Sequence, residues 1–287
     1  MRSLLYTPGH RSSLVARVLD GGLPATPDVA LLDLEDGVPA AEKETARGVL
    51  AAAIAPSRGR ALRYVRIGQI SSDAAKADLA AVVRPGLDGV VVPKIQRAEE
   101  LAVLDEWLRE RERAAGIEEL SVQVIAAIES AAGLLDAPRI ARGPRVIGVM
   151  FGSEDFAADL GLAAHREGEA ADLIYARSAI VIAAAAARVL AFDGIWANFK
   201  DQAGLRADAL RGRRLGFAGR QCIHPDQVAI VNEIYAPSEE EIAHARRVVS
   251  AFEDGVGRGL GAVALDGEML DTPIVERARR TLRIAGG

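Results

Sequence analysis

Eight short β-rich apolar runs, most followed by a helical stretch, constrain this chain more than any other feature. The runs are SLLYTP (3–8), VALLDLED (29–36), LRYVRIG (62–68), GVVVPK (89–94), VQVIAAIES (122–130), RVIGVMFG (145–152), GIWANF (194–199) and RQCIHP (220–225). Helix-like stretches lie between them, including KADLAAVVR (76–84), RAEELAVLDEWLRERERAAG (97–116) and YARSAIVIAAAAARVLA (175–191). Strands that alternate with helices form a parallel sheet with both faces covered. Eight such units predict a closed α/β (β/α)8 barrel, and 287 residues is about its usual length, though two smaller domains would also fit. Helical patterns over roughly 238–253 and 272–283, joined by the glycine-rich turn DGVGRGLGAVALDG (254–267), exceed what a barrel needs. The expected division is therefore a barrel over 1–230 and a C-terminal helical extension over 231–287.

Several partner classes are disfavoured. A net charge of −5 with scattered basic residues argues against nucleic acid. The longest apolar run, AIVIAAAAARVLAF (179–192), contains Arg188 and falls short of the roughly 20 residues that span a bilayer, so no membrane is expected. MRSLLYTPGH (1–10) is too short and polar for a signal peptide. A single cysteine, Cys222, excludes an intramolecular disulfide and fits a cytoplasmic protein. Neither GxxxxGK[ST] nor a strand-linked GxGxxG is present, so a nucleotide phosphate loop is not expected.

In a (β/α)8 barrel the active site lies at the C-terminal ends of the strands, and here those ends are polar. They carry Asp33, Glu35 and Asp36, then Arg66, Lys94, Glu129, Glu154 with Asp155, and His224. Carboxylates converging on one mouth need a cation or shared protons. A hard divalent ion, Mg²⁺ or alternatively Mn²⁺, takes oxygen ligands and keeps positions open for water and substrate. Glu129 and Asp155 end adjacent strands about 4.8 Å apart, close enough to share such an ion, with Glu35 and Asp36 holding its waters. The His/Cys spacing of a zinc site is absent. Each residue also has a simpler reading. Asp155 or Glu129 can serve the helix that follows, and Arg66 can be a structural ion-pair partner. Lys94 reads as structural, His224 as part of a turn, and Cys222 as a buried filler.

The order of these pieces resembles the citrate lyase β-subunit family, within the HpcH/HpaI aldolase and CoA-thioester lyase superfamily. The matching stretches are RSLLYTPG (2–9), LLDLEDGV (31–38), EKETARG (42–48), YVRI (64–67), VVVPKI (90–95), AIES (127–130), FGSEDFAADLG (151–161), YARSAIVIAA (175–184), CIHPDQV (222–228) and DGEMLDTP (266–273). The resemblance implies a TIM barrel of the phosphoenolpyruvate/pyruvate type. It implies Glu129 and Asp155 as Mg²⁺ ligands, Arg66 as the group that holds a substrate carboxylate, and Glu35 and Asp36 as acids beside the metal waters. It further implies that Asp271 is supplied to a neighbouring subunit's site by the C-terminal segment, so a homo-oligomer, specifically a homotrimer, is expected. One departure is Gly68 after Ile67, where the family often has Asn soon after the arginine.

The implied reaction is carbon–carbon cleavage of a 3-hydroxy-3-carboxyacyl-CoA such as citryl-, malyl- or citramalyl-CoA. It yields acetyl-CoA and a keto acid, with Asp271 as the candidate for proton transfer. Arg11, Lys43 and Arg47 are the basic groups available to the CoA phosphates. Two alternatives stand beside this reading: a citrate lyase subunit that acts only on an acyl-carrier protein partner, and a CoA-independent pyruvate aldolase. The second should carry a His close after the second strand, and DLEDGVPAAEK has none.

Overall fold

A computed structural model describes residues 1–286 except 55–58, 163–170, 258 and 260–262. The chain divides into two compact units, Met1–Glu233 and Ile234–Gly287.

In the first unit the period-two side-chain alternation of a strand resolves into two buried faces. Leu4, Leu31, Tyr64, Val91, Ile125 and Met150, from six successive strands, form one core cluster inside the sheet. Their neighbours Leu5, Leu32, Val65, Val90 and Ala126 are equally buried under the helices. The strands are β1 (Ser3–Pro8), β2 (Val29–Asp33), β3 (Leu62–Arg66), β4 (Gly89–Val92), β5 (Gln123–Ile128), β6 (Val146–Phe151), β7 (Leu190–Asp193) and β8 (Gly219–Cys222). They pair in parallel, in chain order, and β8 closes on β1, giving the expected barrel. The helices of this unit are α1 (Ser12–Leu19), α2 (Lys43–Ala53), α3 (Asp73–Val82), α4 (Glu99–Ala115), α5 (Ala131–Ile140), α6 (Ser153–Asp159), α7 (Ile174–Ala187) and α8 (Gln202–Leu215), and α9 (Pro225–Tyr235) runs across its C-terminal boundary.

The seventh strand is not where its sequence pattern places it. GIWANF (194–199) is a loop, and β7 is the preceding LAFD, which reads as the end of a long helix. That helix stops at Ala187 because Arg188 turns left-handed at φ 61°, a conformation that usually calls for glycine. The correction moves 194–199 from a strand to a strand-end loop. A buried ion network holds this region. Arg177 of α7 pairs with Asp193 of β7 and Asp208 of α8, and Arg220 of β8 reaches the same two acids. All four are almost fully buried, so removing one partner would strand a charge in the interior.

The second unit contains α10 (Glu239–Gly257), β9 (Val263–Leu265), β10 (Glu268–Leu270) and α11 (Thr272–Ile284). Ala245, Val248, Leu270, Val275 and Ala278 make its small core. Most of the glycine-rich stretch expected as a single turn is therefore ordered structure: α10 runs on to Gly257, and a hairpin follows. Asp266 and Gly267 both take positive φ, 52° and 86°, which matches the two-residue turn that Asp-Gly favours. Residues 258 and 260–262 of that stretch lie outside the described residues.

Candidate active site

Side-chain alternation positions the site. Tyr6, Asp33, Arg66 and Glu129 each stand two residues beyond an inward-facing core residue: Leu4, Leu31, Tyr64 and Ala127. Each therefore projects into the C-terminal mouth of the barrel. Asp33 and Arg66 are direct cross-strand neighbours. Arg66 donates Nε to Asp33 Oδ1 and Nη2 to Asp33 Oδ2, both at 2.7 Å. Its Nη1 lies 3.1 Å from Glu35 Oε2, and the guanidinium sits 4.7 Å above the Tyr6 ring. Asp33 also accepts from the backbone N–H groups of Glu35 and Gly37, at 2.9 and 2.8 Å, which folds the turn carrying Glu35 and Asp36. A Cβ on Gly37 would fall 2.3 Å from Asp33 Oδ2, so this turn has room only for glycine.

Glu129 follows β5 and is 6 % exposed. Its Oε2 is buried without a hydrogen-bond partner. Burial, reinforced by the nearby carboxylates of Asp155 and Glu35, pushes its pKa up to about 7. Ser130, not Glu129, caps α5, accepting from Gly133 N at 3.1 Å. Asp155 stands in the first turn of α6 with its side chain half exposed, and no side-chain hydrogen bond caps that helix. Lys94 enters the same cluster. It takes a left-handed φ of 55° after Pro93, and its Nζ lies 3.0 Å from both Glu35 Oε1 and Asp36 Oδ2, and 3.9 Å from Asp155 Oδ1. This ammonium supplies part of the positive charge that converging carboxylates need.

Glu129 and Asp155 line two adjoining cavities. The inner one, about 320 Å³ at the barrel mouth, is also lined by Tyr6, Arg66, Ile195 and Ile223. The outer one, about 750 Å³, is a groove bordered by Gln69, Lys94, Arg97 and Asp159. The residues fit a hard divalent ion. An orphaned carboxylate oxygen on Glu129 faces a site shared with a second carboxylate, and oxygen is what such an ion takes. Among the described residues no three or more His, Cys, Asp or Glu form a closed cage. Two protein carboxylates would leave other positions of such an ion open to water and substrate, as Mg²⁺ sites commonly do.

The other candidates divide between this cluster and places outside it. Glu35 is buried and paired with Arg66 and Lys94, whereas Asp36 is exposed beside Lys94. Asp271 belongs to the second unit, where its Oδ1 accepts from Ile274 N at 3.1 Å and caps α11. Lys43 spends its ammonium on the carbonyls of Leu34 and Glu35, and Arg47 pairs with Asp78 and Glu44, so two of the three basic groups considered for CoA phosphates are engaged within the fold, while Arg11 is exposed. His224 stacks on Phe199 and accepts from Asp226 N. Cys222 is buried, which pushes its thiol up to about 12. Sequence reasoning missed Tyr6, Gln221, Ile195 and Ile223, and gave Lys94 only a structural part. Tyr6 was within reach of the alternation rule, since Leu4 precedes it by two. Gln221 could not be anticipated: its Nε2 donates to the carbonyls of Phe151 and Asp193, and its Oε1 accepts from Tyr6 OH, joining β8 to β6, β7 and β1.

A model of the HpcH/HpaI aldolase/citrate lyase family matches residues 2–225. The citrate lyase subunit beta of Escherichia coli K12 is 37 % identical over 283 residues, covering 98 % of this chain and 92 % of that protein. The mitochondrial citramalyl-CoA lyase of Homo sapiens is 31 % identical over 296 residues, covering 99 % and 85 %. Among solved structures, the CitE protein of Mycobacterium tuberculosis in complex with magnesium, acetoacetate and coenzyme A superposes with a TM-score of 0.80 at 32 % identity, covering 100 % of this chain and 98 % of that one.

Proposed function

This chain belongs to the HpcH/HpaI aldolase/citrate lyase family, and from that premise we propose that it is a Mg²⁺-dependent carbon–carbon lyase acting on a CoA thioester. The substrate is a 3-hydroxy-3-carboxyacyl-CoA, and the products are acetyl-CoA and a 2-keto acid. One observation carries the reading: the orphaned Glu129 oxygen and the Asp155 carboxylate line the same cavity as the Arg66 guanidinium.

Glu129 and Asp155 would hold the metal, with Glu35 and Asp36 placed to meet its waters. Bound there, Mg²⁺ or Mn²⁺ would supply Lewis-acid polarisation of the substrate's hydroxyl and carboxylate oxygens. Arg66 is locked by the Asp33 fork, so its remaining N–H groups orient the substrate carboxylate without a search through rotamers. The thioester arm leaves through the outer groove, where Arg97 can meet an anionic carrier beside the acids Glu100 and Asp159. The balance of the reaction is simple. The hydroxyl proton is lost, the bond between the carbinol carbon and the thioester α-carbon breaks, and its electron pair goes to the α-carbon, which takes up a proton. We assign that proton transfer to Asp271 of a neighbouring copy in a homotrimer, in the cytoplasm.

The test is a panel of citryl-, malyl- and citramalyl-CoA with product identification, with and without EDTA. Acetyl-CoA and keto acid in equal amounts, lost on chelation, are expected; full turnover without metal removes the Glu129–Asp155 site. Mixing two inactive variants, Asp271→Ala and Asp155→Ala, should restore part of the activity if Asp271 crosses between subunits. No recovery from demonstrated mixed oligomers would refute the crossing. A second reading, an acyl-carrier thioester in place of free CoA, is favoured by the subunit status of the Escherichia coli relative. Turnover appearing only when an acyl-carrier protein is added would establish it.

A further inference from the structure

The Arg66 guanidinium rests on an aromatic ring that is itself tied to a buried amide, and the amide can point only one way. Gln221 of β8 is 3 % exposed. Its Nε2 donates to the Phe151 carbonyl at 2.8 Å and to the Asp193 carbonyl at 2.9 Å. Two carbonyls at one end of an amide require its NH₂ group there, so Oε1 is fixed as an acceptor at the other end. That oxygen lies 3.0 Å from the Tyr6 hydroxyl, which is therefore the donor. Met150 Sδ, 3.7 Å from the same hydroxyl, is the weaker acceptor. Phe151 and Asp193 are the last residues of β6 and β7. The Tyr6 hydroxyl is thus anchored, through Gln221, to the ends of two strands on the far side of β8.

With its proton committed to Gln221, Tyr6 offers the site its ring. Tyr6 lines the inner cavity together with Arg66 and Glu129. Arg66 Cζ stands 4.7 Å from the ring centroid, within reach of a cation–π contact. Asp33 and Glu35 hold the guanidinium at its edges. Those edge contacts fix where its N–H groups lie within the guanidinium plane. The ring supports one face of that plane and so limits its tilt.

We propose that Tyr6 and Gln221 are positioning residues for Arg66: the amide sets the height of the ring, and the ring sets the tilt at which the guanidinium meets a substrate carboxylate. This rests on the lyase reading above, in which Arg66 holds that carboxylate. Neither residue has to touch the reacting atoms. The carboxylate is common to every keto acid this reaction releases, so the device serves all of them alike. A misaimed guanidinium loses part of its contact with the carboxylate without disturbing the acids assigned to the metal.

The experiment compares two affinities of the full chain: for Mg²⁺, by calorimetry, and for a keto acid in excess Mg²⁺, by NMR titration. Pyruvate, glyoxylate and freshly prepared oxaloacetate are the probes, and the tightest binder is carried through the variants. Tyr6→Leu removes the ring and should weaken keto-acid binding about fivefold or more, with Mg²⁺ affinity unchanged. Gln221→Met removes the amide at similar length, and Tyr6→Phe keeps the ring but loses its tether. Both should give smaller losses of the same kind, and they carry the test if Tyr6→Leu fails to fold. A merely structural role would weaken both affinities together. Unchanged keto-acid affinity in the folded variants overturns the proposal, as does a loss of Mg²⁺ affinity equal to the loss of keto-acid affinity. Turnover separates these outcomes from failure of the underlying reading. Keto-acid binding that depends on Tyr6, without cleavage of any thioester, removes the lyase and keeps the positioning. Cleavage with keto-acid binding indifferent to Tyr6 and Gln221 keeps the lyase and removes the positioning. A wild type that binds none of the probes overturns both.

Discussion

Replacing Glu129 by Gln should make the metal-free protein more stable while removing its response to Mg²⁺. Burial and the carboxylates of Asp155 and Glu35 raise the Glu129 pKa from an ordinary 4.5 to about 7. Between those values the folded chain keeps the proton and the unfolded chain has released it, so stability falls as pH rises through that window. By pH 8 the ionised carboxylate costs about 3 kcal/mol. Glutamine is nearly isosteric and carries no charge. At roughly 2 °C per kcal/mol for a chain of this size, Glu129→Gln should melt roughly 6 °C above wild type at pH 8 in EDTA. The gap should close towards pH 5. Mg²⁺ should reverse the order, because it binds the folded wild type through the ionised carboxylate and leaves the variant unmoved. Melting followed by circular dichroism at pH 5 and 8, with EDTA and with Mg²⁺, gives the four comparisons. A gap that ignores pH, or equal stabilisation of both proteins by Mg²⁺, refutes the reasoning.

Other perturbations probe neighbouring parts of the site. Arg66→Lys exchanges a two-pronged fork on Asp33 for a point charge, and kcat/KM should fall about 100-fold with the fold retained, read by steady-state kinetics and circular dichroism. Gly152→Ala would put a Cβ 2.3 Å from Glu129 Cγ; displacing that side chain should weaken Mg²⁺ binding about tenfold or more, measured by calorimetry, and unchanged affinity would show that Glu129 does not hold the ion. Lys94→Met removes a cation lying among Glu35, Asp36 and Asp155. Metal-free stability should drop while Mg²⁺ affinity rises about tenfold, from Coulomb repulsion relieved over roughly 6 Å of water-like dielectric; weaker Mg²⁺ binding would mean that Lys94 positions the acids instead of competing with the ion.

Much of the barrel was legible because each of seven strands pairs a short apolar run with a polar end, and Glu129, Arg66 and Asp155 are visible as ends. The seventh strand was not, because AAAAARVLAF is apolar apart from Arg188 and runs straight on from the helix. The break at Arg188 depends on a left-handed turn without glycine, while GIWANF has strand-like composition yet forms a loop. The fork between Asp33 and Arg66 depends on the register of β2 against β3, which no local pattern encodes. Lys94 looked structural for the same reason. Its neighbours Glu35, Asp36 and Asp155 come from other strand ends, and its positive φ leaves no trace in composition. Ile195 and Ile223 escaped notice as lining residues because Ile195 was counted inside a strand and Ile223 is ordinary beside His224. Only the loops pinned by Gln227 bring them to one cavity.

The position of a bound divalent ion tests the shared-acid site most directly. Crystals grown with Mn²⁺ and measured for its anomalous signal should show an ion within direct-coordination distance, about 2.1 Å, of both the Glu129 and Asp155 carboxylates and in the cavity that Arg66 lines. An ion bound by neither carboxylate, or seated outside that cavity, would contradict it.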